Sequence, residues 1–301
     1  MKQRTLKNSY GFEGRGLHTG RYVHMTLRPS EPDSGIVFVR TDLGCEIPAL
    51  AEYVTSTVRS TTIAKGHASV STIEHLLAAL TGLGVDNAVV EIDNREAPAL
   101  DGSSLKFVEA ILADGLVEQD AERKWIELDK EIVIRDDRKD STVRITPSDS
   151  FSIDSTIDFN SPVLGVQDAH WDMEMDFATE IAPCRTFCFL KDLILLSAIG
   201  LVKGGDLSNA LVIVDKPVGK LALSFFRKKY NCPDVEVKPN GYLNKAELKF
   251  SNECARHKLL DVLGDMRLAG GFLKAHVEAY KPGHSTNTRA AAAIRESIKQ
   301  R

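Results

Sequence analysis

Residues 71–92 read STIEHLLAALTGLGVDNAVVEI, and their hydrophobic period changes twice. Ile73, Leu76, Leu77 and Leu80 fall at i, i+3, i+4 and i+7, the spacing of an amphipathic helix, and Gly82 and Gly84 stand where it would end. DNAVVEI at 86–92 then reads as a buried strand. Before this stretch the period is two: Val23, Met25 and Leu27 alternate with polar residues, and IVFV at 36–39 is a short apolar run between Gly35 and Arg40. After it, Ser103 to Leu112 reads as a second helix, on a looser spacing of Leu105, Val108, Ala110 and Leu112.

A charged stretch, Glu118 to Lys124 (EQDAERK), reads as a linker, and the strand pattern restarts beyond it in WIEL, EIVI, STVRI and FSIDSTIDF. Helical spacing returns at 190–199, 252–268 and 287–299, with strands at 211–214 and 273–280. Each half therefore places strands first, helices later and a strand near its end. The expected class is α+β, with two domains of similar topology, 1–122 and 123–301, and helices packed on β-sheets. A length of 301 residues suits two domains. No repeat is visible residue by residue. Lys216 to Phe250, mixed and charged with Pro217, Pro233 and Pro239, reads as a surface insertion in the second half.

Hydrophobic residues make up 43% and charged residues 27%, which excludes a disordered chain, a collagen and a disulfide-rich miniprotein. With 38 basic against 42 acidic side chains the net charge is −4, so no nucleic-acid partner is expected, while a small anionic ligand needs only a few local cations. The most apolar run, LILLSAIGLV at 193–202, falls well short of the ~20 residues of a membrane span. It reads as core or as the wall of a site for an apolar ligand. The opening MKQRTLKNSYGFEG lacks the apolar segment of a secretory signal. Five cysteines, an odd number at irregular spacing, suit free thiols in a reducing compartment. A cytoplasmic monomer is the expectation.

The chemistry gathers in CARHKLLDVLGDMRL, residues 254–268. His257 and Asp261 are four apart and project from one helical face, and Asp265 follows four further on. Histidine and carboxylate at i, i+4 make half of a zinc site. His75, in the first turn of the other strong helix, is the candidate third ligand, and a set of two histidines and one aspartate leaves a position open for water. Each piece has a plainer reading. His-x-x-x-Asp also occurs on solvated helix faces, His75 alone could be a partly buried histidine, and Ser71-Thr72-Ile73-Glu74 has the form of a capping box, which would turn the Glu74 carboxylate back onto the backbone. Cys254-x-x-His257 and Cys184-x3-Cys188 lack a second close pair to complete a structural tetrad. Gly11, Gly14, Gly16 and Gly20 do not follow G-x-G-x-x-G, Lys203-Gly204-Gly205-Asp206 reads as a turn, and neither a Walker A sequence nor a G-x-S-x-G elbow is present.

Together, STIEHLLAALTGLGVDN at 71–87, RTF at 185–187, RHKLLDVLGDMRL at 256–268 and YKPGHSTNT at 280–288 resemble the LpxC family, zinc-dependent UDP-3-O-acyl-N-acetylglucosamine deacetylases of lipid A synthesis. QRTLK at 3–7 and GRGLHTG at 14–20 match the same family, so the likeness runs along nearly the whole chain in the family's order. It implies two α+β domains of like topology with the active site between them. The stretch between Ala210 and His257 is longer than usual and is similar to the version fused to a hydroxyacyl-carrier-protein dehydratase.

The resemblance assigns one zinc ion, with iron(II) as an alternative, to His75, His257 and Asp261. It makes Glu74 the general base, His284 the acid, Asp265 the carboxylate that orients His284, and Thr186 a stabiliser of the oxyanion. The substrate would be a UDP-linked acylated amino sugar. Lys258 and Lys281 would approach its nucleotide-sugar part and Phe187 its sugar, while Leu193, Val202, Gly205 and Ala210 would line a tunnel for the acyl chain. Asp206 departs from the serine common in the family, which leaves chain-length preference open. No membrane span is implied, only peripheral contact through the lipid substrate. Two rivals stand beside this reading. One is a zinc amidohydrolase acting on another acylated amino sugar, which substrate profiling would separate. The other is a non-catalytic nucleotide-sugar binding protein, disfavoured because every ligand and acid–base position holds a competent residue.

Overall fold

A computed structural model describes residues 1–193, 209–229, 232–243 and 247–299. Its helices are α1 (Glu74–Gly82), α2 (Leu105–Asp114), α3 (Phe177–Glu180), α4 (Lys220–Lys229), α5 (Glu253–Met266) and α6 (His284–Lys299). Two larger sheets carry the fold. The first has the order Tyr10–Arg15, Tyr22–Pro29, Ala88–Ile92, Ile36–Arg40, Cys45–Pro48. The second has the order Ile132–Asp136, Ser141–Pro147, Phe272–Tyr280, Ser152–Asp158, Val166–Asp172, and Trp125–Glu127 adds to the start of its central strand.

The two sheets share one plan. Each is two antiparallel hairpins separated by a strand that arrives last in sequence. Ala88–Ile92 runs antiparallel to Tyr22–Pro29 and parallel to Ile36–Arg40. Phe272–Tyr280 runs antiparallel to Ser141–Pro147 and parallel to Ser152–Asp158. A parallel neighbour requires a crossover, and helices flank each late strand: α1 before and α2 after the first, α5 before and α6 after the second. The class is α+β. Additional elements enter each half after its fifth strand. In the first half these are the three-stranded sheet Val54–Ser56, Thr62–Lys65 and Ala68–Ser71. In the second they are α3, the parallel pair Phe187–Phe189 and Leu211–Ile213, and α4. Among the described residues, strand pairing stays within 1–122 or within 123–301, and on that ground we propose these as the two domains.

The two helices that precede the late strands meet at the centre. Glu74 to Thr81 of α1 are all buried, and most of α5 is buried around its whole circumference. The α5 helix packs on α1, on α6 and on the strands Ser152–Asp158 and Val166–Asp172. Their backbones touch at Gly264, where a Cβ would lie 2.0 Å from the Glu74 carbonyl oxygen. The halves are also tied by buried charge. Arg123 donates Nε and Nη2 to the two oxygens of Asp86 at 2.9 and 2.8 Å, and Arg267 Nη2 donates to the Asp86 carbonyl at 2.7 Å. The Phe272 ring lies under both guanidinium groups, at 3.8 and 4.6 Å.

Several sequence expectations need correction. The charged stretch 118–124 is not a linker: Leu116–Glu122 is a strand antiparallel to Lys2–Leu6. Its acids face bases across the ladder, Glu118 opposite Arg4 and Glu122 opposite Lys2, and Lys2 Nζ donates to Asp120 at 2.9 Å. The 216–250 insertion is more than an excursion, because Phe226, Val235 and Leu243 bury themselves with Leu190, Leu193, Val212 and Val214 in a second small core. The last helix begins at His284, three residues earlier than expected, and Val166–Asp172 is a strand that the sequence reading passed over. Leu193 belongs to the second core, whereas Val202, Gly205, Asp206 and the rest of the 193–202 run lie outside the described residues. Among the described residues no helix is long and apolar enough to cross a membrane.

Candidate active site

The first turn of α1 and one face of α5 build the centre. His75 follows Glu74 at the start of α1, and its carbonyl accepts a 2.7 Å hydrogen bond from Ser104 Oγ, just ahead of α2. On α5, His257 Nδ1 lies 3.1 Å from the Cys184 carbonyl. A carbonyl only accepts, so Nδ1 carries the hydrogen and Nε2 keeps its lone pair. That Nε2 and the Nε2 of His75 each lie 3.6 Å from Asp261 Oδ1, and the imidazole rings meet edge to face at 4.9 Å.

Three donor atoms, two nitrogens and one oxygen, therefore converge within 4.8 Å of one another. Asp261 Oδ2 accepts from Lys258 Nζ at 2.7 Å, but Oδ1 is buried with no hydrogen-bond partner. An unpartnered carboxylate oxygen out of water is expensive, and a cation among these three atoms would satisfy it. Burial drops the His257 pKa to about 3, so it is neutral and can ligate. Burial also works against the Asp261 charge, but the Lys258 ammonium outweighs it and holds the carboxyl well below the usual range. The residues fit a divalent ion, and an open N2O set suits zinc or iron(II).

A second cluster faces the first. Glu74 is not a capping residue: no side chain caps α1, and Glu74 Oε2 accepts from the Thr61 amide at 3.0 Å. Glu74 Oε1 lies 3.8 Å from His284 Nε2. On its other side His284 Nδ1 donates to Asp265 Oδ2 at 2.9 Å, and Asp265 also accepts from Asn287 Nδ2 at 3.0 Å and from the Thr61 hydroxyl. Burial raises the Glu74 pKa against the pull of His284 and His75. For His284 burial opposes the charge, yet Asp265 and then Glu74 overcome it and raise the pKa to about 9. A carboxylate with a raised pKa and an imidazolium thus stand on either side of one gap, the arrangement of a base and an acid.

Of the other expected residues, Phe187 and Lys258 border this centre, and the rest lie in the elements around it. Phe187 lies 6.3 Å from the His257 ring, and Lys258 Nζ is 5.7 Å from the Phe187 ring. The Thr186 amide donates to Gly102 O, and its carbonyl accepts from Leu211, both at 2.8 Å. Lys281 borders a cavity of about 230 Å³ at the start of α6, where its Nζ meets Asp140 at 2.9 Å and Asp158 at 3.2 Å. Ala210 is half-buried beside the Leu211–Ile213 strand, and Leu193 packs in the second core.

Sequence reasoning missed Thr61, whose amide and hydroxyl serve both carboxylates from a loop with no pattern of its own, and Asn287 one turn inside α6. It also missed Lys139 and Phe159 in the cavity wall and His18, whose buried Nε2 has no partner. The GRGLHTG match was the one available signal for His18.

Comparison with known sequences follows this geometry closely. The sequence model of the LpxC family, described as UDP-3-O-acyl N-acetylglycosamine deacetylase, matches residues 3–226 and 232–296. The chain belongs to the LpxC family. The bifunctional enzyme LpxC/FabZ of Porphyromonas gingivalis is 43% identical over 302 residues, which cover 100% of this chain and 65% of that protein. The enzyme of the same name from Chlorobaculum tepidum is 42% identical over 292 residues, 95% of this chain and 62% of the relative. The chain thus spans less than two thirds of the length of these bifunctional relatives. The UDP-3-O-acyl-N-acetylglucosamine deacetylase of Cellvibrio japonicus is 39% identical over 303 residues, 98% of this chain and 91% of that protein. LpxC proteins are metalloenzymes, in keeping with the His75, His257 and Asp261 convergence.

Proposed function

We propose that this chain hydrolyses the acetamide of UDP-3-O-[(3R)-3-hydroxyacyl]-N-acetylglucosamine, releasing acetate, within lipid A biosynthesis. The observation that carries the reading is Glu74 facing His284 at 3.8 Å beside two histidines and an aspartate that converge on one point. His75, His257 and Asp261 would hold a zinc ion, with iron(II) as the alternative. When bound, such an ion supplies Lewis acidity, lowering the pKa of a water from 15.7 toward ~7 and polarising a carbonyl.

The chain's own groups do the rest. Glu74, held at Oε2 by the Thr61 amide, takes the proton of the attacking water at Oε1. As the water oxygen adds to the acetyl carbon, the Thr186 hydroxyl would donate to the developing oxyanion. An amine leaves poorly unless protonated. His284, kept charged by Asp265, gives its Nε2 proton to the sugar nitrogen as the carbon–nitrogen bond breaks, so acetate and a free amine result. Burial of Glu74, His284 and Asp265 keeps bulk water from competing for these protons.

The cavity beside α6 offers Lys281, Lys139 and the helix N-terminus to a diphosphate, and Phe159 and Phe187, 5.5 Å apart, offer apolar faces. Lys258 bears on the sugar side. Leu193, Val202, Gly205 and Ala210 are assigned to the acyl chain. We place the protein in the cytoplasm as a monomer that meets the membrane only through its lipid substrate. The test is acetate release from UDP-3-O-(3-hydroxyacyl)-N-acetylglucosamines of several acyl lengths, by metal-replete protein, after chelation and after zinc is returned. Release abolished by chelator and restored by zinc is expected. Protein holding about one zinc that releases no acetate would move the reading to a different acylated amino sugar.

A further inference from the structure

A buried charge and its partly buried partner next to the site carry no chemistry of their own. Arg185 opens the RTF triplet, and Glu253 is the first residue of α5. Along α5, Glu253, His257, Asp261 and Asp265 recur every four residues, so the ligand stripe begins one turn earlier than its first ligand.

The Glu253 side chain is fully buried and accepts four hydrogen bonds. Oε1 takes the Arg185 amide at 3.1 Å and Arg185 Nε at 2.9 Å, while Oε2 takes Arg185 Nη2 at 3.1 Å and the Lys249 amide at 2.7 Å. A carboxylate serving only the helix dipole would turn to the first-turn amides of its own helix. This one turns away, onto the backbone of the 183–187 segment and of the loop before α5. Arg185 Nη2 continues to Glu247 O at 2.6 Å, and Lys249 Nζ reaches Pro183 O at 2.8 Å.

The segment so clamped holds two groups the site depends on. Cys184 presents the carbonyl that accepts His257 Nδ1 and fixes its tautomer. Thr186 is pinned between Gly102 and Leu211. We propose that Arg185 and Glu253 are a positioning pair that sets the Cys184 carbonyl against the metal-ligating His257 and sets Thr186 against the reacting carbonyl. The Thr186 half rests on the deacetylase reading; the His257 half does not. Partners that orient a ligating histidine typically govern metal affinity by 10–100-fold.

The experiment uses Glu253→Gln, which keeps the shape and removes the charge, and Arg185→Lys, which keeps the charge and removes the fork. Zinc affinity is read by competition with a chromophoric chelator, beside thermal melts and acetate release. We expect both folded variants to bind zinc about 10-fold or more weakly, and kcat to fall about 10-fold or more with KM little changed. Glu253→Gln added to Thr186→Ala should cost less than the product of the separate losses, since both act through one donor. Zinc affinity within about 2-fold of the parent in a folded variant, or losses that multiply independently, would overturn the proposal. If Glu253→Gln does not fold, Arg185→Lys decides by the same readouts. If the parent releases no acetate, the deacetylase reading falls, and zinc affinity alone still rules on the pair.

Discussion

Replacing Gly264 by alanine sets two effects against each other. Alanine is the better helix former by about 1 kcal/mol, so on an unencumbered helix the change would stabilise. Here the new Cβ would lie 2.0 Å from Glu74 O and 3.1 Å from Glu74 Cα, where ordinary contact begins near 3.4 Å. Neither atom can rotate away, because both belong to the backbone of a buried helix. Relief requires α1 to back off α5 by roughly an ångström. Overpacking of this kind costs about 1 to 3 kcal/mol, and a clash with fixed backbone belongs at the upper end. The net loss is about 2 kcal/mol, or a Tm lower by roughly 4 °C. The effect on function should be larger than the effect on stability. Glu74 and His75 ride on α1, while His257, Asp261 and Asp265 ride on α5. Metal ligands tolerate about 0.2 Å, and a reacting group misplaced by about 1 Å can lose ~10²-fold in rate. Thermal melts, chelator competition and acetate release together should show a modest fall in Tm with a ~10²-fold loss of turnover and much weaker zinc binding. Gly11→Ala, where a Cβ meets nothing within 4 Å, should be neutral in all three. A Gly264→Ala protein with a raised Tm and parental zinc affinity would show that the two helices have slack, and the argument would fail.

Four further outcomes are expected. Glu74→Ala and His284→Ala should each lower kcat by about 10²-fold or more, and parental turnover in either removes that residue from the mechanism. The His284 pKa rises from 6.5 to about 9 on folding, so its stabilising contribution is whole below 6.5 and is lost as pH climbs through about 9. The stability gap between the parent and His284→Gln should therefore close between those values, and a gap that persists at pH 10 contradicts it. Arg123→Met takes two charge-assisted hydrogen bonds from the Asp86 carboxylate and leaves it the Arg4 amide, so it should cost about 3 kcal/mol in denaturant titration, where a loss under about 1 kcal/mol would show that the pair does not tie the halves. Stripping metal should lower Tm, since zinc at 1,000 times its Kd adds about 4 kcal/mol, and an unchanged Tm after verified removal would count against a site at His75, His257 and Asp261.

What the sequence revealed follows the range of the forces involved. His257, Asp261 and Asp265 were legible because helical periodicity places them on one face without tertiary information. Glu74 and His75 were legible as neighbours at the head of a strongly periodic helix. The same local logic left Ser71-Thr72-Ile73-Glu74 open as a capping box, and the structure removes that alternative: Thr72 sits at φ 57° and α1 starts only at Glu74, whose carboxylate the Thr61 amide claims. Leu116–Glu122 was misread because its alternation is in charge rather than apolarity: Glu118, Asp120 and Glu122 share one strand face and find their partners near the chain's start. Thr61 was invisible, since its contact with Asp265 spans 204 residues. So was the insertion of each late strand between two hairpins, which depends on pairing rather than on local preference.

The shared plan of the two halves explains where the site lies, and its unequal use explains the chemistry. Both halves send a helix to the junction just before the late strand. The first helix supplies only its opening turn, Glu74 and His75, and is otherwise apolar filling. The second supplies a whole stripe. The result is a high density of charge: buried Glu74, Asp261 and Asp265 against the buried His284 imidazolium and the partly exposed Lys258, with His257 neutral. Three carboxylates against two cations leave an excess negative charge in a medium of low dielectric, which costs far more there than at a surface. Hydrogen bonds offset part of that cost, since Asp265 and Glu74 are both served by Thr61, but Asp261 Oδ1 has no donor. A dication at that oxygen would reverse the sign of the whole cluster, which is the charge the proposed diphosphate substrate calls for. The same residues that are a liability without metal would then become the means of holding one, so that removing it should destabilise the junction as well as silence the site.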